Sequence, residues 1–452
     1  MSTEATTATV DASRASARDA MMSNLREYGL VLALIAIMIF FQLTSSPQFQ
    51  GWLGASMKDG WFAHLSFGDA ISGIYPALRD GILFKPVNLT NVVLQNSYII
   101  VMALGMLLVI VAGHIDLSVG SVAGFIGAVA AVLMVRYGLN PLVAALVSIG
   151  VGAVIGGAQG YFIAYMKIPS FIVTLAGMLV FKGLLLWLLG GESVGPFPTE
   201  FQMLSAGFIP DVIGPWTIVA PTLNAAGNPM PNTGLVLHST TMLIGVLIIV
   251  AMLYFALRSR RDRESHGYEA EPFAFFILKN LVMGGIILFL MYKFATYKGL
   301  PNVLIVMGIL IALFVFITKR MTFGRRVFAM GGNVKAAALS GINTERLTFY
   351  IFVIMGMLAA LAGLIYTARL NQATPKAGAG MELDVIAAVF VGGASAMGGV
   401  GEVAGAVIGA FIMGVMNNGM SLLSINIDWQ QVIKGLVLLG AVAFDLYNKK
   451  KA

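Results

Sequence analysis

Apolar residues in this chain do not alternate with polar ones; they run on in long blocks. A helix needs about 20 apolar residues to cross a hydrocarbon core. On that measure twelve segments stand out, near residues 28 to 44, 90 to 112, 118 to 135, 141 to 164, 170 to 189, 238 to 257, 273 to 295, 301 to 318, 347 to 368, 383 to 397, 402 to 420 and 429 to 446. The tenth is too short to span comfortably. The pattern predicts an all-α protein, a polytopic transmembrane helical bundle over residues 28–446. The preceding stretch, "MSTEATTATVDASRASARDAMMSN", is rich in Ser, Thr and Ala, carries both charge signs and has no apolar period, which predicts a disordered tail over 1–27. It lacks the basic start, short apolar core and cleavage site of a secretory signal, so the run from Tyr28 to about Thr44 reads as an uncleaved first span. Residues 447–452 form a basic tail.

Orientation follows from Lys and Arg, which are retained on the cytoplasmic side. The loop over 319–346 holds six of them, Lys319, Arg320, Arg325, Arg326, Lys335 and Arg346, against one acid, Glu345. The turn after Leu257 holds Arg258, Arg260, Arg261 and Arg263. Both are expected inside. Counting crossings from there puts both termini in the cytoplasm and the stretch from Gly190 to Leu237, which has no Lys or Arg, outside. Lys293 and Lys298 fall on the outer side and run against the scheme.

Composition agrees with a chain dissolved largely in lipid: 58% of the 452 residues are hydrophobic, 11% are charged and the mean hydropathy is +0.87. Cysteine is absent and the four histidines, His64, His114, His238 and His266, are scattered, so no metal cluster is expected. The net charge of +7 sits in short blocks flanking the apolar runs. That is the pattern of membrane orientation, and it argues against nucleic-acid binding.

Polar residues that interrupt the apolar runs carry the chemistry. In "VIVAGHIDLSVGSVAG", Val109 to Gly124, Asp116 or Ser118 either caps the following helix or belongs to a gate or substrate path, since ionisable groups at membrane depth tend to line cavities. In "MELDVIAAVFVGGASAMGGVGEVAGAVIGAF", Glu382 and Asp384 precede a short apolar run that breaks at Gly392 and Gly393. An interrupted span points to a translocation path or gate; the other reading is an outer-surface N-cap and an ordinary hairpin. Gly152, Gly156 and Gly160, and likewise Gly401, Gly405 and Gly409, recur every four residues, each trio expected on one helix-packing face. Within the basic loop, "NVKAAALSG" predicts a short cytoplasmic helix with an Asn333 N-cap and a Gly341 stop. Its small Ala face suits the groove of a partner, although such loops also serve only to hold topology.

Three of these stretches carry a resemblance. "GRRVFAMGGNVKAAALSGI" closely resembles the cytoplasmic coupling loop of ABC-transporter permeases of the ribose/xylose sugar-uptake type. "GHIDLSVGSVAG" and "VFVGGASAMGGVGEVAGAVIGAF" are similar to two further signatures of that family, in the same order, so the likeness extends from about Asn88 to Asp445. The resemblance implies that residues 319–346 dock on an ATPase, centred on Gly331, Asn333, Ala336, Ala337 and Gly341. It implies a ten-span core, with two extra spans around "RSRRDRESHGYEAEP" and an insertion region over 190–300, as in the xylose and multiple-monosaccharide branch. It also implies a bacterial inner-membrane subunit that pairs with a second permease copy, a separate ABC ATPase and a periplasmic or extracellular sugar-binding protein. The chain contains no G-x-x-x-x-G-K-[ST] loop, so ATP and Mg are expected on the partner, and the chain itself is expected to bind no cofactor and to be no enzyme. An ion- or proton-coupled secondary transporter, with Asp116, Glu382 or Asp384 titrating, is the alternative.

Overall fold

The structure is a computed structural model that describes residues 29–51, 75–219, 235–267 and 272–451; the tail expected over 1–27 lies outside them. Helices α1 (Gly29–Thr44), α2 (Pro86–Val111), α3 (Val119–Ala131), α4 (Pro141–Ala164) and α5 (Ser170–Leu189) come first. A π-helical turn, Val132–Arg136, continues α3. After a long loop come α6 (Ser239–Ser265), α7 (Phe273–Ala295) and α8 (Val303–Lys319), then α9 (Thr322–Gly332) and α10 (Val334–Leu339). The chain ends in α11 (Thr344–Leu370), α12 (Met381–Val391), α13 (Val403–Leu422) and α14 (Ile427–Lys451). Local chemistry sets several of these ends. Proline opens α2 and α4, where its missing N–H costs nothing. The Asn140 side chain accepts the Leu142 N–H, and a left-handed Gly190 stops α5.

Each of the twelve apolar segments falls on a helix, but their lengths differ. Among the described residues nine helices are long and apolar enough to cross a membrane, or ten if α8 and α9, bent by 65°, count as one span. The exceptions are α1, α8 and α12, the last with only 11 residues. The basic segment at 447–452 is no separate tail in its described part, because α14 continues through Lys451. The stretch between α5 and α6 adds a two-stranded antiparallel hairpin, β1 (Trp216–Val219) and β2 (Leu235–Leu237), to an otherwise helical fold.

The core surrounds α2, which is buried almost all round and packs against α11, α13 and α12. By contrast α6, α7 and α14 turn large apolar side chains outward, among them Leu247, Leu281, Leu436 and Leu439. Such faces are stable only in lipid. The most extensive helix contact joins α4 to α11: Gly152 and Gly156 lie on the backbone at Gly356 and Phe352, and Gly160 on Phe349. Small residues let two backbones meet there, and packing, not water expulsion, holds helices together in a bilayer. The second trio does not share one face. Gly401 precedes the α13 N-cap Glu402 and packs on Leu107 and Val111, while Gly405 and Gly409 lie against Gly392 and Ala388.

Candidate translocation site

The three quoted stretches, far apart in sequence, meet at one junction. At the end of α2 the Val111 carbonyl accepts the Gly399 N–H at 2.8 Å. Gly331, at the end of α9, packs directly on the same carbonyl and on the Gly399 amide. Only glycine allows three backbones this close, and Gly399 has φ +75°, a region that disfavours other residues. One residue-turn away, Asp445 of α14 accepts hydrogen bonds from Ser395 Oγ at 3.1 Å and the Ala396 N–H at 3.2 Å. The glycine-rich break around Gly392, Gly393 and Ser395 is therefore gripped between α2, α9 and α14.

Beside the junction stands α10. Its N-cap is Asn333, whose side chain accepts the Ala336 N–H at 3.0 Å, and it stops at Ser340 before Gly341, where φ is +82°. Ala337 does not belong to an outward face: it is buried against the bundle, while Leu339 is 90% exposed and Val334 and Ala336 are exposed as well. The orientation follows from the contacts of α10 with α9 and α11, which take the one side that carries Ala337.

Two interruptions lie inside the bundle and not at its edge. The turn over 112–118 sits against Gln159, five residues before the end of α4, Thr174, four residues into α5, and Phe352, eight residues into α11. At about 1.5 Å per residue this recesses the turn by roughly 6 to 12 Å from those helix ends. From the opposite end, the segment over 371–380 runs back along α3, with Ala377 and Gly378 against Gly124 and Gly120. Paired bonds between Val194 and Ala373, and the Asn371 side chain accepting the Phe197 N–H at 2.8 Å, tie it to the loop that follows α5. The N-termini of α3 and α12 consequently face each other within the bundle, with the Glu382 carboxylate against Gly120. Irregular backbone persists at such depth where it is enclosed by protein or lines a cavity.

Neither expected cap forms in the expected way. Ser118 is the N-cap of α3 but makes no side-chain cap bond; its hydroxyl donates to Asp116 Oδ1 at 2.7 Å and accepts from Gln159 Nε2 at 2.9 Å. Asp116 Oδ1 also accepts the Ser118 N–H at 2.8 Å. The cap of α12 is Gly380, again without a side-chain bond, so Glu382 and Asp384 are not caps. Asp116 is 3% exposed and both its donors are neutral. A buried carboxylate held only by neutral donors carries a desolvation cost that an amide of the same shape does not. Asp116→Asn keeps an acceptor for both Ser118 donors, so it is expected to unfold in detergent at a temperature no lower than wild type. Clear destabilisation of the variant would contradict this account.

On the far side of α12, Asp384 Oδ2 accepts from Lys434 Nζ at 3.0 Å and from Asn417 Nδ2 at 3.1 Å, joining α12, α14 and α13. Asn96 of α2 lies over Gly414, one turn before Asn417. Asn417 and Lys434 stand five residues from the end of α13 and seven from the start of α14, roughly 8 to 10 Å inside. Glu382 and Asp384 thus serve opposite faces of α12. Among the described residues no three histidines or carboxylates come together.

Asp116 and Ser118 meet each other, Glu382 approaches α3, and Gly331 meets the second glycine stretch, whereas Asp384 stands apart from Asp116 and Glu382 in its contacts. Gln159, Asn96, Asn417, Lys434 and Asp445 were not singled out by sequence. Polar residues within an apolar span are the signal, single at Gln159 and Lys434 and clustered at Asn96, beside Gln95 and Ser97, and at Asn417, beside Asn418.

The fold and the buried polar site define a multi-pass helical membrane permease. Residues 88–442 match the family described as "Branched-chain amino acid transport system / permease component", and the chain belongs to it. It is 36% identical over 381 residues to the xylose transport system permease protein XylH of Haemophilus influenzae, covering 84% of this chain and 94% of that one. It is 34% identical over 429 residues to XylH of Escherichia coli, covering 95% and 94%. The ribose import permease protein RbsC of E. coli is 32% identical over 364 residues, covering 80% and 86%. No solved structure matches.

Proposed function

We propose that the chain is the permease subunit of an ATP-driven importer that carries a monosaccharide, of the xylose class, across the bacterial inner membrane. The observation that carries the reading is the junction of Val111, Gly331 and Gly399, which joins a basic-flanked surface helix to the buried polar segments. The likeness to xylose and ribose permeases over most of the chain supports the substrate class, and nothing in the comparisons points to an ion-coupled carrier. In this reading α9 and α10 face the cytoplasm and dock on a separate ATPase that holds ATP and Mg. A second copy of the chain completes the path, and a soluble binding protein delivers sugar from outside. The docking knob is Leu339 with Val334 and Ala336, and not the buried Ala337.

The test is reconstitution with the candidate ATPase and binding protein. Sugar uptake is expected to require ATP and to survive an uncoupler. Leu339→Glu, at a position 90% exposed, is expected to leave the fold intact while co-purification of the ATPase and uptake both fall about tenfold or more, as loss of an interface anchor does. Normal assembly and uptake by Leu339→Glu would remove α10 as the docking element, and uptake that stops with the uncoupler would remove the ATP-driven reading.

A further inference from the structure

Three of the six buried side-chain polar atoms that have no partner among the described residues belong to one layer: Asn96 Nδ2, Asp384 Oδ1 and Asn417 Oδ1. Asn96 is 1% exposed and Asp384 7%. Their lack of a protein partner follows from the geometry. Lys434 and Asn417 both bond to Asp384 Oδ2 and leave Oδ1 free, and Asn96 reaches its place over α13 because position 414 is a glycine. Unpaired buried donors and acceptors are uncommon in proteins, and each calls for a specific explanation.

We infer that Asn96, Asp384 and Asn417 form a binding site for the hydroxyl groups of a neutral sugar as it passes through the bundle, an inference that rests on the permease reading above. The chemistry selects this class. A cation meets the Lys434 ammonium and the Asn96 amide N–H; an anion meets the Asp384 carboxylate. A hydroxyl donates and accepts at once, so adjacent hydroxyls match one open donor beside two open acceptors.

The experiment uses the full chain in proteoliposomes with its ATPase and binding protein, and D-xylose with its monodeoxy analogues as probes. Asn417→Ala and Asn96→Ser are compared with wild type for uptake and for ATP hydrolysis stimulated by the loaded binding protein. Wild type is expected to favour D-xylose over an analogue lacking a bonded hydroxyl by about tenfold. Each variant is expected to lose that preference for one analogue and keep it for the others, in uptake and in stimulated ATP hydrolysis alike. The binding protein is the same throughout, so a hydroxyl-specific change belongs to the permease. Equal losses for every sugar, or unchanged preference in both variants, overturn the inference and leave the permease reading standing. Absence of ATP-driven uptake of any sugar by wild type overturns both. Should Asn417→Ala fail to assemble, Asn96→Ser decides.

Discussion

Gly331→Leu is expected to reduce ATP-driven uptake about 100-fold, the equivalent of nearly 3 kcal/mol. A side chain at this position has no room, since its first carbon already meets the Val111 carbonyl and comes within 2.7 Å of the Gly399 nitrogen. Neither neighbour is a flexible side-chain end. Overpacking of about this energy must be relieved by moving α9 away from α2 and the glycine-rich break, which opens the 2.8 Å bond between Gly399 and Val111. The displaced helix α9 carries none of the polar layer, so the protein is expected to purify and remain helical. Gly332→Ala is the matched control, because an added methyl there meets nothing within 4 Å. Wild-type transport by Gly331→Leu would show that movement does not pass through this junction.

The second large effect concerns charge. Lys434 and Asp384 have side chains only 18% and 10% exposed, and their atoms stand 3.0 Å apart. Lys434→Met leaves the carboxylate inside the bundle with only Asn417 on it, a change that costs about 3 to 5 kcal/mol when one partner of a buried pair is removed. Adding Asp384→Asn to that variant removes the stranded charge, and the double variant is expected to recover most of the stability. Thermal unfolding of the four proteins in detergent gives the coupling between the two positions directly. Two losses that simply add would mean the pair is not a pair in the membrane.

Much of the fold was legible because long apolar blocks leave the backbone one choice: in lipid its polar groups must be bonded within the segment, and a helix does that. Every block accordingly carries a helix, the tenth only as far as Val391, and the cap at Asn333 needed only its neighbour Ala336 to be read. Depth was not legible. The turn containing Asp116 looked like an ordinary helix end, and only the overhang of α4, α5 and α11 places it inside. The facing of a six-residue helix was equally hidden. Periodicity put Ala336 and Ala337 side by side, while contacts with α9 and α11 turned Ala337 inward and left Leu339 outside. Asn96, Asp384 and Asn417 come from three different spans, and no local pattern announces that they share a layer. Lys434, a single ammonium within an apolar run, carried the one warning that a carboxylate partner was near.

The shortness of α12 has a mechanical meaning. Eleven residues make a rod of about 16 Å with no internal joint. One end leads into the glycine-rich break at Gly392, and the other holds Asp384. A full-length span bends gradually along its length and dissipates a small push; a stub of three turns has too little length to do so. A shift of the break by an ångström or two therefore reaches Asp384, and through it Asn417 and Lys434, with little attenuation.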